Sequence, residues 1–217
     1  MPPQVEGKRH PWEEEPARTG ADVVRQQRAA PLLREAVALA REVGDTRIAA
    51  LAINNLGDLA LTEGDYDGAE PLFEESLALL RERGDTANVA RSLFNLGAVA
   101  LMLDRLAVAR DRFREALALG QEAGDKEDLA WCLLGIAGLG AAAEDGDRAA
   151  ILLGAAVAVL DAMGAALKPF ERRLHDTIAV QARQLCGDGA FEDARRRGAD
   201  MELDEAIRLA VAALTDR

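Results

Sequence analysis

From Ala21 onward, stretches rich in Ala and Leu alternate with short polar breaks, and the breaks fall on a fixed spacing. Gly44-Asp45, Gly84-Asp85 and Gly124-Asp125 lie forty residues apart, and a second set of breaks falls between and beyond them at Glu63-Gly64-Asp65, Leu103-Asp104-Arg105 and Glu144-Asp145-Gly146. Ala and Leu without long β-branched runs favour helix. A Gly just past a helix end adopts the left-handed conformation at little cost, and the Asp or Thr after it caps the next helix. The pattern therefore predicts helices over roughly 21–43, 46–62, 66–83, 86–103, 106–123, 126–143 and 147–163, with Pro31 as the place for a kink in the first. After Gly164 the period is lost. Lys168–Leu185, a short Phe191–Arg197 piece and Leu203–Leu214 read as a helical cap.

The interiors of the stretches repeat as well. Asn55-Leu56-Gly57 recurs as Asn95-Leu96-Gly97, and Ala69-x-x-x-Phe73 recurs as Ala109-x-x-x-Phe113. A fixed period of this size marks one supersecondary unit stacked on copies of itself, an architecture that usually presents a surface. The unit Leu56-Gly57…Ala60…Gly64-Asp65-Tyr66…Ala69…Phe73…Ser76 resembles the tetratricopeptide pattern, in which small and large residues alternate at set places of a helix hairpin. The second copy reads Leu96-Gly97…Ala100…Ala109…Phe113…Ala116, and a weaker third reads Ile136-Ala137…Gly140…Ala149…Leu153…Ala156. Ala29, Leu33 and Ala36 fit the second helix of a preceding half unit. The resemblance implies an all-α, right-handed superhelix of helix hairpins. Its parts are a half repeat over 21–44, repeats over about 45–84, 85–124 and 125–164, and a C-terminal helical cap over 165–217. Gly57, Ala69 and Ser76 let paired helices approach, and Phe73 and Phe113 fill the space between hairpins.

The long period resembles the longer-helix tetratricopeptide regions of large bacterial LuxR-type and related ATP-binding regulators. The segments Ala149–Ala156, Met163-Gly164-Ala165 and Pro169–Arg172 resemble the closing part of those regions, as does Phe191…Arg197-Gly198…Met201–Ile207. The resemblance implies a place in signalling or transcription regulation. In that family a nucleotide-binding module precedes the repeats and a helix-turn-helix often follows. Here the nearest phosphate-loop candidate, Gly120-Gln-Glu-Ala-Gly124-Asp125-Lys126, lacks the required spacing and has no preceding strand. The expectation is a sensor or scaffold portion alone, as a short gene product or a fragment. The alternative is that these repeats are part of a longer DNA-binding regulator.

Charge narrows the partners. The chain carries a net charge of −12, and residues 21–167 hold 14 Lys/Arg against 24 Asp/Glu. Such a body repels phosphate backbones, so no direct nucleic-acid binding is expected. The longest charge-free apolar stretch, Ala149–Leu160, has 12 residues, short of the about 20 that span a membrane. The N-terminus shows no signal-peptide pattern, and Cys132 and Cys186 are isolated, which fits a reducing cytoplasm. Residues 1–20, with Pro2, Pro3, Pro11, Pro16 and the acidic run Glu13–Glu15, read as a disordered or loosely docked tail with Trp12 as its one anchor.

Catalysis finds little support. The nucleophile candidates are Ser76, Ser92, Cys132 and Cys186, and the histidines are His10 and His175. On one helix His175 and Cys186 sit about 16 Å apart along the axis, too far for an activated nucleophile. No spaced His/Cys set suggests a metal, and no cofactor is expected. Gly135, Gly138 and Gly140 lie within an apolar helix, where close packing explains them better than a nucleotide turn does. The expected work is non-catalytic binding.

In a tetratricopeptide array the first helix of each pair lines the concave side. The repeat register places Asn54, Asn55, Asp58, Arg91, Phe94, Asn95, Met102, Trp131 and Leu134 inward. Asn offers both donor and acceptor and suits an extended peptide; Arg91 suits a carboxylate. Trp131 and Phe94 suit a buried anchor. Equally, Asn55 and Asn95 serve to tie adjacent helices, and Trp131 to plug the junction with the cap. The expected partner is a protein or peptide, with a small-molecule inducer as the weaker alternative.

Overall fold

The computed structural model describes residues 20–215, with side chains from Arg28 onward, so the readings of Trp12, His10 and the N-terminal tail lie outside it. Ten α-helices and no strand make up the described residues: α1 (Gly20–Glu42), α2 (Thr46–Glu63), α3 (Tyr66–Arg83), α4 (Thr86–Met102), α5 (Leu106–Ala123), α6 (Lys126–Ala142), α7 (Gly146–Met163), α8 (Pro169–Cys186), α9 (Asp188–Ala199) and α10 (Leu203–Thr215). α1 runs unbroken through Pro31. α9 is longer than the piece expected at Phe191–Arg197, because Asp188-Gly189-Ala190 winds into its first turn.

The breaks work as their chemistry requires. Gly44, Gly84, Gly124 and Gly164 all have positive φ, between 65° and 72°. The carboxylates of Asp45, Asp85 and Asp125 then accept backbone N–H groups of the next helix, as Asp45 does from Arg47 and Ile48. Within the hairpins, Gly64 is replaced one period on by Asp104 and Glu144, which keep the left-handed turn at φ 56° and 60°. Backbone bonds close the turn there without glycine, from Asp104 N to Leu101 O and Arg105 N to Ala100 O, and likewise from Glu144 N to Ala141 O and Asp145 N to Gly140 O.

The period is also a period of burial. Ala69, Ala109 and Ala149 are each fully buried, as are Phe73, Phe113 and Leu153. A Cβ added at Gly57 would stand 2.6 Å from the Phe73 ring, and one at Gly97 would stand 2.6 Å from Phe113. Phe113 also reaches the next hairpin, since a Cβ on Gly135 would meet it at 2.5 Å. Ser76 Oγ, fully buried, donates to the Ala50 carbonyl at 2.9 Å. The small residues thus let each pair of helices close around one phenyl ring.

Within the array α4 touches both α2 and α6, whereas α3 is joined to α5 and the residue before it by ion pairs of long side chains: Arg81–Glu115, Arg112–Glu74 and Arg105–Glu70. Arg41–Glu75 repeats the Arg81–Glu115 bridge one period earlier. Closer spacing on the α2, α4, α6 side curves the stack toward it. That side is the inner face.

The last three helices close the C-terminal end. α9 crosses α7 at backbone contact: a Cβ on Gly198 would stand 1.9 Å from the Ile151 carbonyl oxygen, and one on Gly154 would stand 2.0 Å from that of Arg195. α10 packs on α5, α6 and α7 and receives Arg114, which donates to the Leu214 carbonyl. α8 takes a different course. Its C-terminal half lies by α7 at Gly146, its middle reaches Gly138 of α6 through Ile178, and its start meets the end of α2. It therefore runs across the inner face at the C-terminal ends of the lining helices.

Candidate partner-binding groove

The inner face is built from residues spaced three and four apart on α2 and α4, which share one side of a helix. On α2 these are Leu51, Asn54, Asn55 and Asp58; on α4 they are Asn88, Arg91, Ser92 and Asn95. α8 divides the face into a covered part and an open part.

In the covered part, Arg173 of α8 donates to the Leu61 carbonyl at 2.8 Å and to that of Thr62 at 3.4 Å. A guanidinium at the last carbonyls of α2 also complements the negative end of that helix. Asp58 lies beneath, half-buried, and accepts from Asn95 Nδ2 at 3.0 Å. Burial pushes its pKa up to about 6; the charges of Lys168 and Arg91 and the Asn95 bond oppose this, and Glu171 adds to it. Glu171 is itself buried, its pKa raised by burial, and its Oε2 has no hydrogen-bond partner. Asp128 of α6 is raised to about 6 by burial and by the neighbouring Asp125.

The open part is a cleft of about 200 Å³ lined by Leu51, Asn54, Asn55, Leu80, Asn88, Arg91 and Ser92. Asn54 is buried and accepts from Ser92 Oγ at 3.2 Å, tying α2 to α4. Asn55 and Arg91 are exposed. Asn88 Nδ2 donates to Asp85 Oδ2 at 2.9 Å.

The structure thus separates the inward residues. Asn55 and Arg91 line the cleft with Asn54 at its floor. Asn95, equivalent to Asn55 by register, is buried and bonded to Asp58, so it serves as a tie between helices. Phe94, Met102, Trp131 and Leu134 are all buried, and Phe94 sits between Phe113 and Trp131 with ring centroids 6.0 and 6.3 Å away. Trp131 is accordingly core, and a ligand in the cleft does not meet these aromatic rings. Leu51, Leu80, Asn88 and Ser92 were missed; Leu51 lies three before Asn54, Asn88 three before Arg91 and Ser92 three before Asn95, whereas Leu80 comes from α3. Lys168, Glu171 and Arg173 had no signal, since the forty-residue register stops at Gly164.

The other chemical candidates stay apart. Cys132 is fully buried, and burial pushes its thiol above the usual range. His175 Nδ1 pairs with the adjacent Asp176, and Cys186 Sγ donates to the Ala182 carbonyl. Among the described residues no group of three or more His, Cys, Asp or Glu is placed to hold a metal, and no helix is long and apolar enough to cross a membrane.

An inner face lined by first helices and an outer face of ion-paired second helices define a helix-hairpin solenoid. The tetratricopeptide repeat family model matches residues 25–82 and 47–122, which covers α2 to α4 whole and most of α1 and α5. That stretch of the chain is made of tetratricopeptide repeats, a fold that typically serves as a non-catalytic scaffold for protein interactions. No curated protein matches the chain.

Proposed function

We propose that the chain is a binding scaffold that holds a protein or peptide segment in the open cleft of its inner face. The observation that carries this reading is the exposed pair Asn55 and Arg91 in one cleft with Asn54 and Asn88, on helices packed against their neighbours. An extended backbone needs donors and acceptors at short intervals, and amide side chains supply both. The cleft is smaller than the about 300–1,000 Å³ of sites that take drug-sized ligands, so it fits one or two residues of a longer chain better than a small-molecule inducer. The likeness of segments in 149–207 to LuxR-type regulators supports a setting in cytoplasmic bacterial signalling or transcription regulation, with DNA contact left to other modules. The acidic body supports the last point.

The test uses peptides selected from a random displayed library on the wild-type chain. Their affinities should fall about tenfold or more with Arg91→Ala or Asn55→Ala and stay unchanged with Glu122→Ala on the outer side. Peptides that ignore the cleft variants, or respond equally to Glu122→Ala, would remove the cleft as the binding site.

A further inference from the structure

The two ends of the array are finished differently. At the C-terminal end α8, α9 and α10 cover α7 and present charged side chains, among them Asp193, Arg195, Arg196 and Arg197. At the N-terminal end nothing comparable covers α1 among the described residues. α1 rests on α2 and reaches α3 through Arg41–Glu75. Its outer side carries Leu32 at 65% exposure, Leu39 at 53% and Val43 at 78%, and Ile48 at the start of α2 extends the patch at 50%. Among the described residues, four of the nine exposed large apolar side chains lie at this end; Met163, Val180, Leu185 and Val211 lie on α7, α8 and α10. Helical arrays need a polar terminal face to stay in solution singly, and from Arg28 onward the exposed face of α1 mixes these apolar side chains with Arg28, Arg34, Glu35, Arg41 and Glu42.

Arg28, Leu32, Glu35, Leu39 and Glu42 are among the exposed residues of α1. Their spacing of four, three, four, three is the seam of a two-helix coil. Read in the opposite direction, the seam matches itself. With α1 antiparallel to a second α1, Leu32 meets Leu39 of the other copy, Arg28 meets Glu42, and the Arg28 stem lies over Val43. Glu35 falls beside the two-fold axis and faces its own counterpart.

We propose that the outer face of α1 pairs with α1 of a second copy of this chain, forming a symmetric dimer through the N-terminal ends of two arrays. The seam is self-complementary in charge, Arg28 of each copy meeting Glu42 of the other, so the pairing closes on itself instead of continuing into a filament. A single helix pair falls at the small end of specific interfaces, below about 1,200 Å², so the dimer dissociates on dilution. The pairing leaves the inner cleft open in both copies.

Sedimentation velocity over a dilution series of the full chain tests the pairing. Wild type should pass from dimer to monomer on dilution, and Leu32→Glu with Leu39→Glu should weaken association by about tenfold or more at unchanged helicity. Arg28→Glu should weaken the dimer, and adding Glu42→Arg should restore it. Glu35→Gln should tighten the dimer, because it removes a like-charge contact at the axis; a merely structural role for α1 would not produce that gain. Wild type that stays monomeric at every concentration would mean that residues 1–19 or another protein covers α1, and would overturn the proposal. So would a dimer that survives the Leu variants, or a charge swap that fails to restore. Should the double Leu variant lose helicity, the Glu35→Gln and charge-swap results decide in the same directions.

Discussion

Two asparagines one period apart show how much a single position can differ within a repeat. Asn95 is buried and donates to Asp58, while Asn55 stands in solvent at the cleft. Asn95→Ala takes the hydrogen-bond donor from the half-buried Asp58 carboxyl and empties a buried position, so it should cost about 1–3 kcal/mol of unfolding free energy. Asn55→Ala should stay within about 0.5 kcal/mol. Urea melts of the two variants check this, and equal losses would show that the two positions are equivalent after all. The register alone could not separate them, because it records what a residue is and not what stands on the preceding helix. α4 has α2 on that side and finds Asp58 there; α2 is the first inner helix among the described residues. The small residues were more legible. Gly57, Ala69 and Ser76 were assigned to close approach from size alone, and the Phe73 ring seated at Gly57 and the Ser76 bond to the Ala50 carbonyl are what that size permits.

Among the elements, α8 is the one that the sequence left obscure. Its helical character was readable, since Pro169 at its start and Gly187 at its end punctuate it. Its path was not, because the contacts that direct it join residues more than a hundred apart, as Arg173 does with Leu61 and Thr62. Its docking should respond to pH. The Asp58 carboxyl is faced by Lys168 just before α8, by Glu171 of α8 and by Arg91 and Asn95 of α4, and its folded pKa lies above the ordinary 3.8 at about 6. A carboxyl raised in the folded state favours folding at low pH, and that contribution is lost as pH rises through about 6. Asp128, also raised to about 6, acts in the same direction. The lowered pKa of Asp85 opposes them only below the ordinary carboxylate range. The melting temperature should therefore decline between about pH 4.5 and pH 7. Asp58→Asn keeps an acceptor for Asn95, and it should raise the melting temperature at pH 7.5 and flatten the decline. A profile that Asp58→Asn leaves unchanged would show that this carboxyl does not govern the docking.

For the whole molecule, most of the plan was legible and the closure was not. The forty-residue spacing announced the hairpins and their curvature, and the loss of that spacing after Gly164 announced a cap without saying where the cap would go. Its destination changes how the chain should come apart. Stacked repeats in which each unit touches only its neighbours unravel from an end, one unit at a time. Here a residue at position 173 holds the carbonyls at 61 and 62, so the first full hairpin and the cap cannot separate without releasing that clasp. Everything from α2 to α10 should then open as one cooperative block, with α1, outside the clasp, fraying at lower free energy. Native-state hydrogen exchange should show a single high plateau for amides in α2 through α10, and Arg173→Ala should split it into a graded series. A graded series already present in the wild type would mean that the clasp does not couple the two ends. If the plateau holds, the array behaves less like a zipper than like a hoop, in which a strain applied anywhere is felt all the way round.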